Sequence, residues 1–136
     1  MPLFNWRGKS QKSVLIVEFS NVELDSCSFA LKQQGFSVLS ARDGVEAVKK
    51  CAKNHPDVVL IDFYGDERDG LRIASEITLL PYKPKIVAVV SKGTVLPEAE
   101  SIGVELFLER PYSTQELVSA VSTLVGLKPS WRFIHV

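Results

Sequence analysis

Five short apolar runs, each followed by a segment with helical spacing, constrain the fold of this chain more than any other feature. Most of the runs are continuous rather than alternating, which is typical of strands that are buried on both faces of a parallel sheet. The runs cover residues 14–17, 37–40, 58–61, 86–90 and 104–108. This alternation predicts an α/β fold, a (βα)5 chain with a doubly wound, five-stranded parallel sheet and right-handed crossovers.

Capping residues and stop signals mark the intervening helices. A polar capping residue followed three positions later by Glu is typical of a helix start. The three pairs at this spacing are Ser20 with Glu23, Asp43 with Glu46 and Ser113 with Glu116. In the second helix the spacing predicts that Val45, Val48 and Ala52 face inward, and a third helix is predicted over residues 68–80.

Composition and length exclude several classes of protein. A chain of 136 residues with 46% hydrophobic and 24% charged residues is typical of one globular domain and not of a disordered protein. Sixteen basic residues balance sixteen acidic ones, which argues against a strongly basic nucleic-acid binder. We find no signal peptide and no apolar run near the ~20 residues of a membrane span. Cys27 and Cys51 lack the spacing of a zinc or redox motif, so a reducing, cytoplasmic setting is the default.

Charged and hydroxyl side chains stand at the end of four of the predicted strands. Glu18 follows the first run and Asp62 the third, while Ser91 and Arg110 follow the fourth and fifth. The carboxyl ends of parallel strands meet at one edge of a sheet, where doubly wound proteins bind their ligands. We therefore expect two carboxylates, a hydroxyl and a guanidinium to converge there.

Three stretches resemble, in order and spacing, the receiver domains of bacterial two-component response regulators. They are ARDGVEA at 41–47, PDVVLID at 56–62 and RPY at 110–112. Gly70 lies at the family's spacing from the phosphoacceptor to a loop glycine. The resemblance implies a flavodoxin-like sheet with strand order 2-1-3-4-5. It also implies a receiver domain over 13–126, an N-terminal extension over 1–12 and a C-terminal tail over 127–136.

The resemblance implies a role for each residue at the strand ends. Asp62 is at the phosphoacceptor position, where its carboxylate would attack a phosphohistidine and form an aspartyl phosphate. Ser91 and Arg110 would contact the transferring phosphoryl group. Ser91 and Phe107 resemble the two switch residues, although Phe107 is also suited to filling the core.

A magnesium ion is also implied, with two departures from the family pattern. Glu18, Asp62 and the backbone carbonyl of Tyr64 are the candidate Mg²⁺ ligands. In one register Phe19 stands where the family has a second acid, so one oxygen donor is missing, and in the alternative register Glu18 takes that second position. Arg110 replaces the usual lysine and keeps its charge, but as a planar fork. Glu18 could instead pair with Arg110, which would make a metal unnecessary.

The prediction is a single-domain response regulator rather than an enzyme. It would receive its phosphoryl group from a histidine kinase or a phosphotransfer protein. It would bind a downstream protein through the fourth helix, fifth strand and fifth helix. No nucleic-acid or membrane partner is expected, and a homodimer is left open.

Two alternatives remain at this point. One is a degenerate receiver that acts as an interaction module without phosphorylation, which Phe19 motivates. The other is a small flavodoxin-like enzyme, which is disfavoured because Glu18 places a carboxylate where a phosphate loop would bind an anion.

The terminal segments differ from the rest of the chain in charge. Residues 1–12 and 127–136 contain five basic side chains and no acidic ones. Both tryptophans, Trp6 and Trp131, lie there as well. These residues could cover the bottom of the domain or anchor a partner.

Overall fold

A computed structural model describes residues 11–18, 20–63, 66–94 and 96–127. Strands and helices alternate throughout these residues, as the apolar runs predict. The elements in chain order are β1 (Ser13–Val17), α1 (Asn21–Gln33), β2 (Ser37–Ala41), α2 (Gly44–Asn54), β3 (Val58–Asp62), α3 (Glu67–Thr78), β4 (Lys85–Ser91), α4 (Pro97–Ile102), β5 (Val104–Arg110) and α5 (Thr114–Leu124).

The strands form a single parallel sheet within the described residues, in the order β2-β1-β3-β4-β5. Both the α/β class and the predicted strand order are therefore confirmed. All five residues of β3 are buried, which explains its continuous apolar sequence. The parallel arrangement brings the carboxyl ends of β1, β3, β4 and β5 to one edge.

Alternate residues of the strands face two separate apolar cores. Leu15 and Val17 of β1 pack with residues of α2, α3 and α4 on one face of the sheet. Val14 and Ile16 pack with residues of α1 and α5 on the other face. Since both faces are covered, polar chemistry is confined to the edges of the sheet, and α1 and α5 lie on the same side of it.

Three helix starts agree with the sequence prediction, whereas the predicted orientation of two residues in α2 does not. Ser20, Asp43 and Ser113 each accept a hydrogen bond from the backbone N–H three residues later. The inward prediction for Val45 and Ala52 is wrong, because α2 turns Ala47 and Cys51 toward the sheet instead. Those two residues are one helical turn apart, so Val45 falls on the opposite side of the helix, where it is 66% exposed.

Gly70 lies inside α3 rather than in a loop. It packs directly on the ring of Phe63, the residue that follows Asp62. A Cβ at position 70 would lie 2.6 Å from the ring, so only glycine permits this approach. Phe63 has no exposed surface, and its backbone N–H donates to the carbonyl of Val89 at 2.8 Å. The Phe63–Gly70 contact therefore fixes α3 against the end of β3.

None of the helices in the described ranges combines the length and apolar character needed to cross a membrane. Trp6 and Trp131 lie outside the described residues. The domain boundaries at 12/13 and 126/127 therefore stay predictions. Cys27 and Cys51 are buried and form no disulfide.

Candidate functional site

The predicted site residues lie at one edge of the sheet. Asp62, Ser91 and Arg110 are the last residues of β3, β4 and β5, and Glu18 directly follows β1. Ser91 is paired in register with Arg110. The polar residues at the strand ends are thus adjacent because of sheet topology and not because of their positions along the chain.

The guanidinium of Arg110 is the centre of this cluster. Its Nη2 lies 3.1 Å from Oδ2 of Asp62 and 3.5 Å from Oε1 of Glu18. The same nitrogen lies 2.5 Å from Oε2 of Glu23 on α1. The side chains of Glu18 and Asp62 are only 6% and 7% exposed. Buried carboxylates need a counter-charge, and Arg110 provides one for Glu18 and Asp62 as well as for the partly exposed Glu23.

Glu18 is held in the pocket by neighbours on both sides. One of its oxygens accepts a hydrogen bond from the backbone N–H of Ser20 at 3.1 Å. Burial raises the pKa of Glu18 above its ordinary value, and a hydrogen bond and charge repulsion with Asp62 raise it further. The Ser20 N–H and Arg110 oppose this shift without cancelling it. The folded protein therefore favours the protonated form of Glu18 more than the unfolded chain does.

The raised pKa of Glu18 predicts a pH dependence of stability. In metal-free buffer its contribution to folding is fully present below the ordinary value of 4.5 and is lost as pH rises through the raised pKa. Glu18→Gln should therefore flatten the fall in unfolding free energy over that window. The variant should also gain stability relative to the parent toward its upper end. Urea denaturation at several pH values measures both effects.

The control for this experiment is Glu98→Gln, which changes an exposed residue of α4. It should leave the pH profile of stability unchanged. A Glu18→Gln profile as steep as that of the parent would contradict the assignment of the slope to Glu18.

Glu23 belongs to the site, although the sequence pattern indicated only a capping residue. Ser20 does accept a hydrogen bond from the Glu23 backbone N–H, at 3.4 Å. The Glu23 carboxylate, however, does not complete a capping box. It accepts hydrogen bonds from Arg110 and from the Tyr112 hydroxyl, at 2.5 and 2.7 Å. The helical spacing of α1 does indicate the orientation of Glu23. This residue lies one turn before the buried Cys27 and therefore faces the sheet.

Tyr112 connects Glu23 to the interior of the domain. Its hydroxyl lies 3.2 Å from the Cys27 sulfur and donates to Glu23. Burial, followed by the hydrogen bonds with Cys27 and Glu23, raises the pKa of Tyr112 well above its ordinary value. Tyr112 therefore stays protonated and remains a hydrogen-bond donor at neutral pH.

The remaining predicted residues occupy different environments. Ser91 lines an open cleft of about 730 Å³ together with Glu23, Arg110 and Tyr112. Phe107 is half-buried and packs against the core on the α2, α3 and α4 face. A switch role and a packing role both remain open for Phe107. The carbonyl of Tyr64 and the side chain of Phe19 lie outside the described residues.

The acidic side chains of the cluster favour a divalent cation more strongly than the number of available metal ligands does. Three carboxylates, those of Glu18, Glu23 and Asp62, surround the one guanidinium of Arg110, and this excess of acidic groups suits a cation. Mg²⁺ is usually bound through one or two protein carboxylates together with waters. Glu18 and Asp62 could supply these two carboxylates. Among the described residues, however, no group of three or more His, Cys, Asp or Glu side chains is arranged to hold a metal. The donor set fits Mg²⁺ with two carboxylates and no third acid.

Comparisons with known proteins agree with this geometry. Residues 14–122 match the response regulator receiver domain family. A CheY-like receiver domain from Methylobacillus flagellatus has 24% identity and a TM-score of 0.75, over 85% of this chain and 99% of that one. A receiver domain protein from Clostridium thermocellum has 22% identity and a TM-score of 0.76, over 85% of this chain and 94% of that one.

A third similar structure has the same architecture. The CheY-like receiver domain protein from Methanospirillum hungatei has 21% identity and a TM-score of 0.74, over 86% of this chain and 96% of that one. These identities show the shared fold, and the family match covers most of the chain. Receiver domains are signalling modules that interact with histidine kinases and effector domains and generally bind Mg²⁺ at the phosphorylation site. The chain therefore belongs to the response regulator receiver domain family.

Proposed function

We propose that this protein accepts a phosphoryl group on Asp62 in two-component signalling, from a histidine kinase or a phosphotransfer protein. The observation that supports this most directly is the Arg110 Nη2 atom, 3.1 Å from Oδ2 of Asp62. A fixed positive group beside a carboxylate at the carboxyl edge of the sheet is suited to phosphoryl transfer, which depends chiefly on positioning and charge.

The transfer needs a nucleophile, a leaving group and charge neutralisation. An oxygen of Asp62 attacks the phosphorus of a phosphohistidine, an O–P bond forms, and the P–N bond breaks to release the histidine of the donor. The N–H groups of Arg110 would neutralise part of the charge on the phosphoryl oxygens, and the Ser91 hydroxyl would bond one of them. Glu18, Asp62 and the Tyr64 carbonyl would hold Mg²⁺, which supplies further neutralisation of those oxygens.

The output is altered protein binding. If the aspartyl phosphate binds Ser91 and Arg110 better in one conformation, phosphorylation shifts the population toward that state. The surface formed by α4, β5 and α5 would then present a different face to a downstream partner, with Phe107 as the second switch residue. We place the protein in a reducing, cytoplasmic compartment, which the two buried thiols support.

A second candidate function is a phosphorylation-independent interaction module. Arg110 already contacts Glu18 and Glu23 as well as Asp62, so the pocket carries an internal counter-charge. Phe19, in place of the second acid, removes one donor for a metal. An enzyme of the flavodoxin type is not favoured, because the family is a signalling module.

Acetyl phosphate distinguishes the two functions. Incubation of the protein with Mg²⁺ and acetyl phosphate should add the mass of one phosphoryl group, and Asp62→Asn should abolish the addition. Glu67→Gln is the matched control, since it removes an exposed carboxylate five residues further on and should leave the addition intact. An unmodified parent protein would contradict phosphorylation and favour the interaction module.

A further inference from the structure

Among the carboxylates of the described residues, the one nearest to Arg110 lies on α1, outside the set of residues that the family pattern identifies. Oε2 of Glu23 lies 2.5 Å from Nη2 of Arg110, whereas Oδ2 of Asp62 lies at 3.1 Å. Oε1 of Glu18, at 3.5 Å, is beyond the usual range of an N–H···O hydrogen bond. Nη2 of Arg110 therefore donates a hydrogen bond to Glu23, whereas its contact with Asp62 is an ion pair.

An arginine at this position has a requirement that a lysine does not. An ammonium is a compact charge whose three donors rotate freely, whereas the guanidinium is a rigid plane whose donors point in fixed directions. Nη2 of Arg110 therefore lies beside Asp62 only when the plane of the group is correctly oriented. A second acceptor at a fixed place can set that orientation, and Glu23 occupies such a place.

Glu23 is itself held in place. Its side chain is 28% exposed, so an unrestrained glutamate here would sample several rotamers. The Tyr112 hydroxyl prevents this by donating to the same Oε2 atom that accepts from Arg110, at 2.7 Å. Tyr112 is in turn held by Cys27, at 3.2 Å. The contacts run from the interior through Tyr112 and Glu23 to Arg110.

We propose that Glu23 is a positioning residue, which together with Tyr112 sets the plane of the Arg110 guanidinium so that Nη2 lies beside Asp62. The effect on phosphoryl transfer rests on the function proposed above, whereas the effect on the guanidinium does not. The simpler interpretation is that Glu23 forms an ion pair that only stabilises α1. The two interpretations differ in what happens to Arg110 when Glu23 changes.

The test follows Arg110 directly, by ¹⁵N NMR of the hydrogen exchange of its guanidinium N–H in metal-free protein. Glu23→Gln should accelerate this exchange about tenfold, because it weakens a hydrogen bond between charged groups. Tyr112→Phe keeps the ring but removes the donor, and should accelerate exchange in the same direction by a smaller factor. Asp25→Asn makes the same charge change at an exposed position of α1 and should leave the exchange unchanged.

The second measurement is the rate of phosphorylation by acetyl phosphate. Glu23→Gln should slow it about tenfold, equivalent to ~1.4 kcal/mol of activation free energy. In an Arg110→Lys background, Glu23→Gln should change the logarithm of the phosphorylation rate by less than half as much, because an ammonium needs no orientation. A role confined to stabilising α1 would give the same effect in both backgrounds.

Each result decides one of the proposals. Unchanged exchange in Glu23→Gln, or an equal effect in the Arg110 and Lys backgrounds, overturns the positioning role. A parent protein that accepts no phosphoryl group overturns the proposed function alone, and the exchange measurement then decides the role of Glu23. Faster exchange in both Glu23→Gln and Tyr112→Phe, with Asp25→Asn unchanged, supports the positioning role in either case, because Tyr112 acts on Arg110 through Glu23.

Discussion

Arg110→Met is expected to lower the free energy of unfolding by about 3 kcal/mol at neutral pH, near the lower end of the range for breaking buried ion pairs. The variant keeps most of the side-chain volume but leaves Glu18 and Asp62 buried without their guanidinium. The side chains of Arg110 and Glu23 are 18% and 28% exposed, so water can solvate the carboxylates in the variant and reduce the loss of unfolding free energy. Chemical denaturation of the metal-free protein measures it.

The pH dependence of this loss identifies its cause. The pKa of Glu18 is raised by burial, and a protonated carboxyl group needs no counter-charge, so the difference in stability between variant and parent should narrow as pH falls through that raised pKa. Arg110→Lys should lose much less unfolding free energy than Arg110→Met, because lysine keeps the positive charge. Arg72→Met, which breaks exposed contacts with Asp69 and Glu76, should change stability little. A pH-independent loss in Arg110→Met would show that packing, and not charge, is responsible.

Phe63→Ala is expected to cost about 3–5 kcal/mol, the usual cost of removing a fully buried aromatic side chain. Phe63 is the first residue after β3, and α3 packs on its ring through Gly70. The loss should therefore loosen the contact between α3 and the strand that carries Asp62. Urea denaturation gives the magnitude.

The effect of Gly70→Ala on the free energy of unfolding should have opposite signs in the parent protein and in the Phe63→Ala variant. In the parent, the new methyl group would lie 2.6 Å from the Phe63 ring, and overpacking of this kind costs about 1–3 kcal/mol. In the Phe63→Ala background the space is open, and replacing a helical glycine with alanine contributes up to ~1 kcal/mol. Gly70→Ala should therefore destabilise the parent and stabilise the Phe63→Ala protein. Destabilisation of both backgrounds by the same amount would contradict a direct contact as the cause.

The fold was largely predictable because its signals are local. Continuous Val, Leu and Ile runs identify strands that are buried on both faces, and capping residues such as Ser20 and Ser113 mark where helices begin. The inward residues of α2 were predicted less well. Val45 fits a helical spacing but lies on the exposed side, because the position of α2 on the sheet selects Ala47 and Cys51.

The residues of the candidate site at the strand ends were predictable, whereas the membership of Glu23 and the contacts within the site were not. Strand ends indicated Glu18, Asp62, Ser91 and Arg110, which the parallel sheet does bring to one edge. The pairing of Arg110 with Glu23 joins residues 87 positions apart on different elements. No spacing along the chain contains such a pair, so sequence reasoning assigned Glu23 only a capping role.

The sequence by itself determined the alternation of strands and helices, the acidic and basic residues at the strand ends, and the family to which they point. These follow from hydrophobic periodicity and short-range capping, which depend on neighbours within one or two turns. Only the tertiary structure decided which carboxylates share Arg110, that Tyr112 holds Glu23, and that Gly70 packs on Phe63. Those contacts arise where α1 and α3 meet the ends of β3 and β5, and burial there makes each charge and each methyl group depend on partners far away in the chain.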